Sequence, residues 1–217
     1  MKTHLFLIVA LFLMNMSVSG ANPDTDEGTV YDTLVIKNIM KELYMCTCKP
    51  NTANPNGEGK VYFQGILKKD FVTDDADYHN CDERFLIQWD LSELPDGINI
   101  IEAKMELFCT HYSGDGQGQL IYEYITESWN QDIGFSKKPE TSVESRIITG
   151  WPEENKVHCV DMTNFIKNWV DNRIPNYGLM GYSMNTETTN SAMFGSSKFP
   201  DESLRPKLTI IYQVNRP

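Results

Sequence analysis

Cys46, Cys48, His79 and Cys81 are of the types that could hold a metal, since three thiolates and an imidazole form a tetrahedral zinc set. Their spacing speaks against it. Paired ligands in structural zinc sites are usually two to four residues apart, whereas a single residue separates the members of each pair here. The competing reading is disulfide chemistry: five cysteines leave at least one thiol unpaired, and Cys109 and Cys159, both in strand-like apolar runs, suit buried free thiols as well as a bridge. Asp74, Asp75 and Asp77 could offer oxygen ligands to a structural calcium, but the Gly and distal Glu of a helix-loop-helix calcium site are missing, so the run reads as a solvated loop. No other cofactor is expected. The glycines between Ser113 and Gly118 read as a turn, because no Lys-Ser/Thr follows and the next element is a strand. His79, His111 and His158 stand near neither a Gly-x-Ser-x-Gly elbow nor a His-Glu-x-x-His helix. Thirty acidic residues always allow two to be nominated for glycoside cleavage, which discriminates nothing without their separation. The chain is therefore not expected to be an enzyme.

A non-catalytic chemistry is easier to assemble. Pyranose rings stack on aromatic faces while their hydroxyls take hydrogen bonds, and Tyr122, Tyr124, Trp151 and Tyr182 are the candidates for such a surface. Tyr122 and Tyr124 share one strand face, Tyr182 falls in a later strand, and Trp151 sits in a Gly-Trp-Pro loop. The competing reading makes the tyrosines core or interface residues. An anionic polymer would also need Arg84, Lys137, Lys138 or Arg146 gathered on one face, against an overall charge of −11. That charge disfavours nucleic acid as a partner.

These residues must be carried by a folded chain: 41% of the 217 residues are hydrophobic and 23% charged, too much apolar material for disorder. Lys2, the apolar run Leu5 to Leu13 and the small residues Ser17 to Ala21 have the order of a secretory signal peptide. The run is too short to span a bilayer, which needs about 20 apolar residues. Residues 1–21 are thus expected to be removed, leaving a single domain over 22–217 that is secreted, extracellular or periplasmic, without membrane insertion or a lipid anchor. Arg84 to Leu91 alternates, with Phe85, Ile87, Trp89 and Leu91 opposite Arg84, Gln88 and Asp90, as a half-buried strand does. Ala103 to Cys109 and Leu120 to Ile125 repeat the pattern, and further strands are predicted at 32–38, 43–48, 61–67, 178–184, 192–195 and 207–212. Phe165, Ile166, Trp169 and Val170 instead recur at helical spacing behind Thr163, a candidate N-cap, which predicts one short helix ending near Asn172. About nine short strands and one helix pack best as two facing antiparallel sheets, an all-β, jelly-roll-like sandwich.

Five pieces in order then carry a resemblance: Asp90-Leu-Ser-Glu-Leu-Pro95, Thr126-Glu-Ser-Trp129, Asp161-Met-Thr-Asn-Phe-Ile-Lys-Asn-Trp169, Asn176-Tyr-Gly178 and Arg205-Pro-Lys-Leu-Thr-Ile-Ile-Tyr212. Over roughly 32–214 the chain resembles the DNRLRE domain family, which is similar to family 96 of the carbohydrate-binding modules. The resemblance implies a jelly-roll sandwich on secreted or surface proteins and a polysaccharide or cell-surface glycan as partner, including acidic, alginate-like polymers. The motif residues themselves suit packing: Trp89 and Trp169 lie on apolar stripes, Trp129 reads as core, and Asp161 can turn the chain into the helix. The chain departs from the family pattern at Phe135, where a second tryptophan is common, at Gln88, where a basic residue is usual, and in an expanded stretch from Cys46 to Cys81. A structural or adhesive surface protein without a small ligand is the second functional class, and an exposed edge strand or apolar patch would favour it.

Overall fold

A computed structural model of the chain describes residues 30–53, 62–67, 82–113, 118–183 and 190–214. The predicted leader, the aspartates of 74–77, His79 and Cys81 lie outside the described residues. The rest folds as two antiparallel sheets with one α-helix among the described residues, the sandwich that the alternation predicts. The first sheet places β1 (Val30–Ile36), β11 (Lys207–Val214), β5 (Asn99–Ser113), β10 (Asn190–Gly195) and β3 (Tyr62–Leu67) in order, and β8 (Lys156–Asp161) also pairs with β5. The second runs β2 (Ile39–Cys46), β4 (Glu83–Trp89), β9 (Leu179–Ser183), β6 (Gln119–Ile125) and β7 (Thr141–Gly150).

Period-two side-chain placement builds the interior. Phe85, Ile87 and Trp89 of β4 and Met105, Leu107 and Cys109 of β5 point between the sheets, where they meet Leu208 and Ile210 of β11. A register shift between Ile211 and Tyr212 leaves Ile101 of β5 as an extra residue, which is why this isoleucine is exposed. The helix α1 (Thr163–Val170) buries Phe165, Ile166 and Trp169 in the same core. It ends as expected for a short helix with a polar stop: Asn172 takes φ 54°, the left-handed conformation that asparagine tolerates at a helix C-terminus. At the other end the Asp161 carboxylate accepts hydrogen bonds from the Thr163 amide and hydroxyl at 2.9 and 2.6 Å. Thr163 is the first helical residue rather than the cap, and its Oγ1 accepts from the Ala103 amide at 3.0 Å, which ties α1 to β5.

Three expectations are revised. β4 is buried on both faces, because Leu86 joins Leu43, Met45, Ile125, Trp129 and Met180 in a second cluster on the outside of its sheet. Gln88, opposite the core-facing stripe, is also buried and donates to the Asn176 carbonyl at 2.7 Å. The strands β7 and β8 go beyond the nine predicted. β7 opposes Glu123 with Arg146 but the next residue, Tyr124, with Ser142, so Val143, Glu144 and Ser145 bulge out and destroy the alternation in sequence. Of the described cysteines, Cys46 and Cys109 are buried free thiols, Cys159 is an exposed one, and Cys48 is disulfide-bonded. A sulfur in a disulfide is not a thiolate, so Cys48 is not available to the zinc set weighed above.

Candidate ligand-binding groove

The four aromatic residues predicted to form one surface are divided by the fold. Tyr122 and Tyr124 do share a strand face, but it is the inner one, and their exposures are 0% and 4%. Tyr122 packs edge-on against Phe85, with ring centroids 6.2 Å apart, and lies over His158 at 6.4 Å. Burial pushes its phenol far above the ordinary range, and burial also holds the His158 imidazole neutral, with its pKa lowered to about 4. The Tyr124 ring stacks on Phe165 at 3.7 Å, while its hydroxyl accepts from Asn168 Nδ2 at 2.8 Å and donates to the Asn164 carbonyl at 3.3 Å. Tyr182 points to the opposite side of its sheet, beside the outer cluster. Trp151 lies flat on the backbone of Gly118, where any Cβ would come within 2.4 Å of the indole ring, and it packs at the margin of the main core. The stacking platform therefore does not form from these residues.

Two of the basic side chains, Arg84 and Arg146, meet around Tyr182, and both are engaged by carboxylates there. Arg84 pairs with Asp82 at 2.7 Å and covers the Tyr182 ring at 4.5 Å. Arg146 lies 3.2 Å from Glu123, a carboxylate only 2% exposed. Glu123 also accepts from the Tyr182 hydroxyl at 2.9 Å and the Thr141 hydroxyl at 2.7 Å, so its buried charge has three donors. Burial and the neighbouring Glu123 together raise the Tyr182 pKa to about 12. Lys137 and Lys138 lie at the end of the 3-10 turn Phe135–Lys137, whose Phe135 ring is covered by Arg84 at 5.4 Å.

What the fold does assemble is a groove of about 480 Å³ between α1 and the bulged edge strand β7. Ser145, Arg146 and Ile147 line one wall, Asn164, Phe165 and Asn168 the other, with Tyr124 and Asp161 completing it. Its size falls within the range of small-molecule sites, and its lining alternates amide, hydroxyl and ionic groups with an aromatic pair. The bulged part of β7 forms one wall of this opening, through Ser145 and the residues that follow it. Asn164 and Asn168 were not singled out from the sequence. Their signal was present: two asparagines four apart share one side of the helix, flanking the Phe165, Ile166 and Trp169 stripe, and one of them is half-buried.

Among the described residues no group of three or more His, Cys, Asp or Glu side chains is placed to hold a metal ion, and no helix is long and apolar enough to cross a membrane. The chain matches no family model and no curated protein.

Proposed function

We propose that the protein is an exported, non-catalytic carbohydrate-binding sandwich, related to the DNRLRE domains, and that its saccharide lies in the groove between α1 and β7. The observation that carries this reading is the composition of the groove. Ser145, Asn164 and Asn168 offer neutral donors and acceptors suited to sugar hydroxyls, over a floor formed by the edges of the buried Tyr124 and Phe165 rings. An open groove without a deep enclosure fits a chain ligand bound at internal units. Affinity should be on the order of micromolar or weaker for an oligosaccharide and should rise with its length. A glycan array on the mature protein, followed by calorimetry on Asn168→Ala, tests this. Binding that falls at least about tenfold in the variant, with unfolding unchanged in cooperativity, supports the site; full retention of binding places the ligand elsewhere. Mass spectrometry of exported material starting near Asn22 tests the export reading.

One observation favours the structural or adhesive alternative. β1 pairs only with β11 among the described residues and exposes Tyr31 and Val35 at 59% and 44%. An edge strand carrying exposed apolar side chains can pair with another chain. Sedimentation showing reversible self-association that Val35→Lys abolishes, together with a blank glycan array, would make assembly the better account.

A further inference from the structure

The groove carries less usable positive charge than its arginine suggests, which bears on the kind of saccharide it takes if the carbohydrate reading above holds. Arg146 is held on both sides: its terminal nitrogen faces buried Glu123 at 3.2 Å and its Nε donates to the Val143 carbonyl at 3.2 Å. The groove also has an anion of its own. Asp161 Oδ1 accepts from the Thr163 hydroxyl and amide, and these hydrogen bonds hold the carboxyl below its ordinary value, so it is ionised at neutral pH. Glu144, in the bulge beside Ser145 and Arg146, is exposed and adds negative charge. Of the nearby lysines, Lys104 stands opposite Asp161 across the β5–β8 ladder and its charge helps to hold that carboxyl ionised, but its ammonium is shared with Glu102 at 3.4 Å; Lys167 of α1 does not line the groove.

We infer that the groove selects uncharged saccharides and discriminates against those bearing uronate groups. A sugar carboxylate entering it would meet Asp161 directly, and it could gain Arg146 only by competing with a carboxylate that is already desolvated and fixed. Turning Arg146 toward a sugar carboxylate would leave Glu123, 2% exposed, buried without its cation, so the exchange is unfavourable. Neutral hydroxyls face no such conflict. Discrimination of this sort comes from a built-in repulsive group as much as from attraction. The acidic, alginate-like ligands implied by the family resemblance are, on this argument, the disfavoured class.

The test is calorimetry at low salt on the mature full chain, using neutral hexasaccharides of glucose, mannose and xylose beside hexamers of galacturonate, mannuronate and guluronate. The expected result is binding of at least one neutral series, with every uronate series weaker by about tenfold or more. Asp161→Asn keeps an oxygen for Thr163 and removes the charge, and it should narrow that gap by about tenfold. Should this variant fail to fold, the wild-type protein still decides: added salt should strengthen uronate binding if repulsion controls it. Uronate binding equal to or tighter than neutral binding, or uronate binding that weakens with salt, overturns the inference and leaves the carbohydrate reading standing. Binding of neither class removes the carbohydrate reading and the inference together.

Discussion

The two apolar clusters of this protein use the same strands and are closed in different ways. Phe85 and Ile87 of β4 and Tyr124 of β6 face the main core between the sheets, while their sequence neighbours Leu86 and Ile125 face the second cluster outside. The main core is closed by the opposing sheet and by α1, mostly through side chains placed at strand or helix period. The outer cluster is closed by the segment 126–139, which is held by particular polar contacts: Trp129 Nε1 donates to the Tyr177 carbonyl at 2.8 Å, Lys41 donates to the Trp129 carbonyl at 2.8 Å, and the Ser136 amide donates to the Pro50 carbonyl at 2.8 Å. The tryptophans of the main core differ in this respect, since the indole nitrogens of Trp89 and Trp169 are buried without a hydrogen-bond partner. Packing alone keeps them there. The difference teaches that one core is a property of periodic strands and the other of a docked irregular segment, which can open locally without the sandwich coming apart.

Mutations should separate the two. Trp169→Ala empties a site against Tyr124 and Phe165 in the main core and should cost about 3–5 kcal/mol, measured by urea denaturation as one cooperative transition. A smaller effect that leaves α1 protected would mean the helix is not part of that core. Acid should act on the same region. His158 sits between Tyr122 and Phe194, and its folded pKa of about 4 lies below its ordinary 6.5. The unfolded chain therefore binds the proton more readily, so this contribution is complete above about pH 6.5 and is lost as pH falls toward 4, a change of about 2–3 kcal/mol. Denaturation midpoints that stay flat over that window in the wild type, or that keep their slope in His158→Gln, would contradict it.

Trp129→Ala should cost less, about 2 kcal/mol, because only the outer cluster and one hydrogen bond are lost. Hydrogen exchange should accelerate in 126–139 and leave β5 and β11 protected; global loss of protection would show the two clusters to be a single unit. The smallest effect is expected at Asp161→Ala, which removes the two hydrogen bonds to Thr163 and should lower stability by about 1 kcal/mol, seen as a shift in melting temperature.

Some of this was legible in the chain and some was not. The inward set of β4, the inner alternation of β5 from Ala103 to Cys109 and the buried stripe of α1 could all be read directly, because each is a periodic pattern with one apolar side. β7 could not, since three bulged residues interrupt its period and its edge position demands little apolar content. The groove was missed for the same reason: the bulged part of β7 forms one of its walls and α1 the other, and these lie some twenty residues apart in sequence.

The sequence by itself determined that Tyr122 and Tyr124 share a face, that Trp89 and Trp169 are buried, and that sheets dominate over helix. Only the tertiary structure decided that the tyrosine face looks inward, that Tyr182 looks outward, and that Arg146 is spent on Glu123. Alternation specifies which residues travel together, but the side of a strand that becomes interior depends on what covers each face, and here both are covered. A tyrosine can sit in either place, since its ring favours burial and its hydroxyl can be satisfied there, as Asn168 and Asn164 satisfy that of Tyr124.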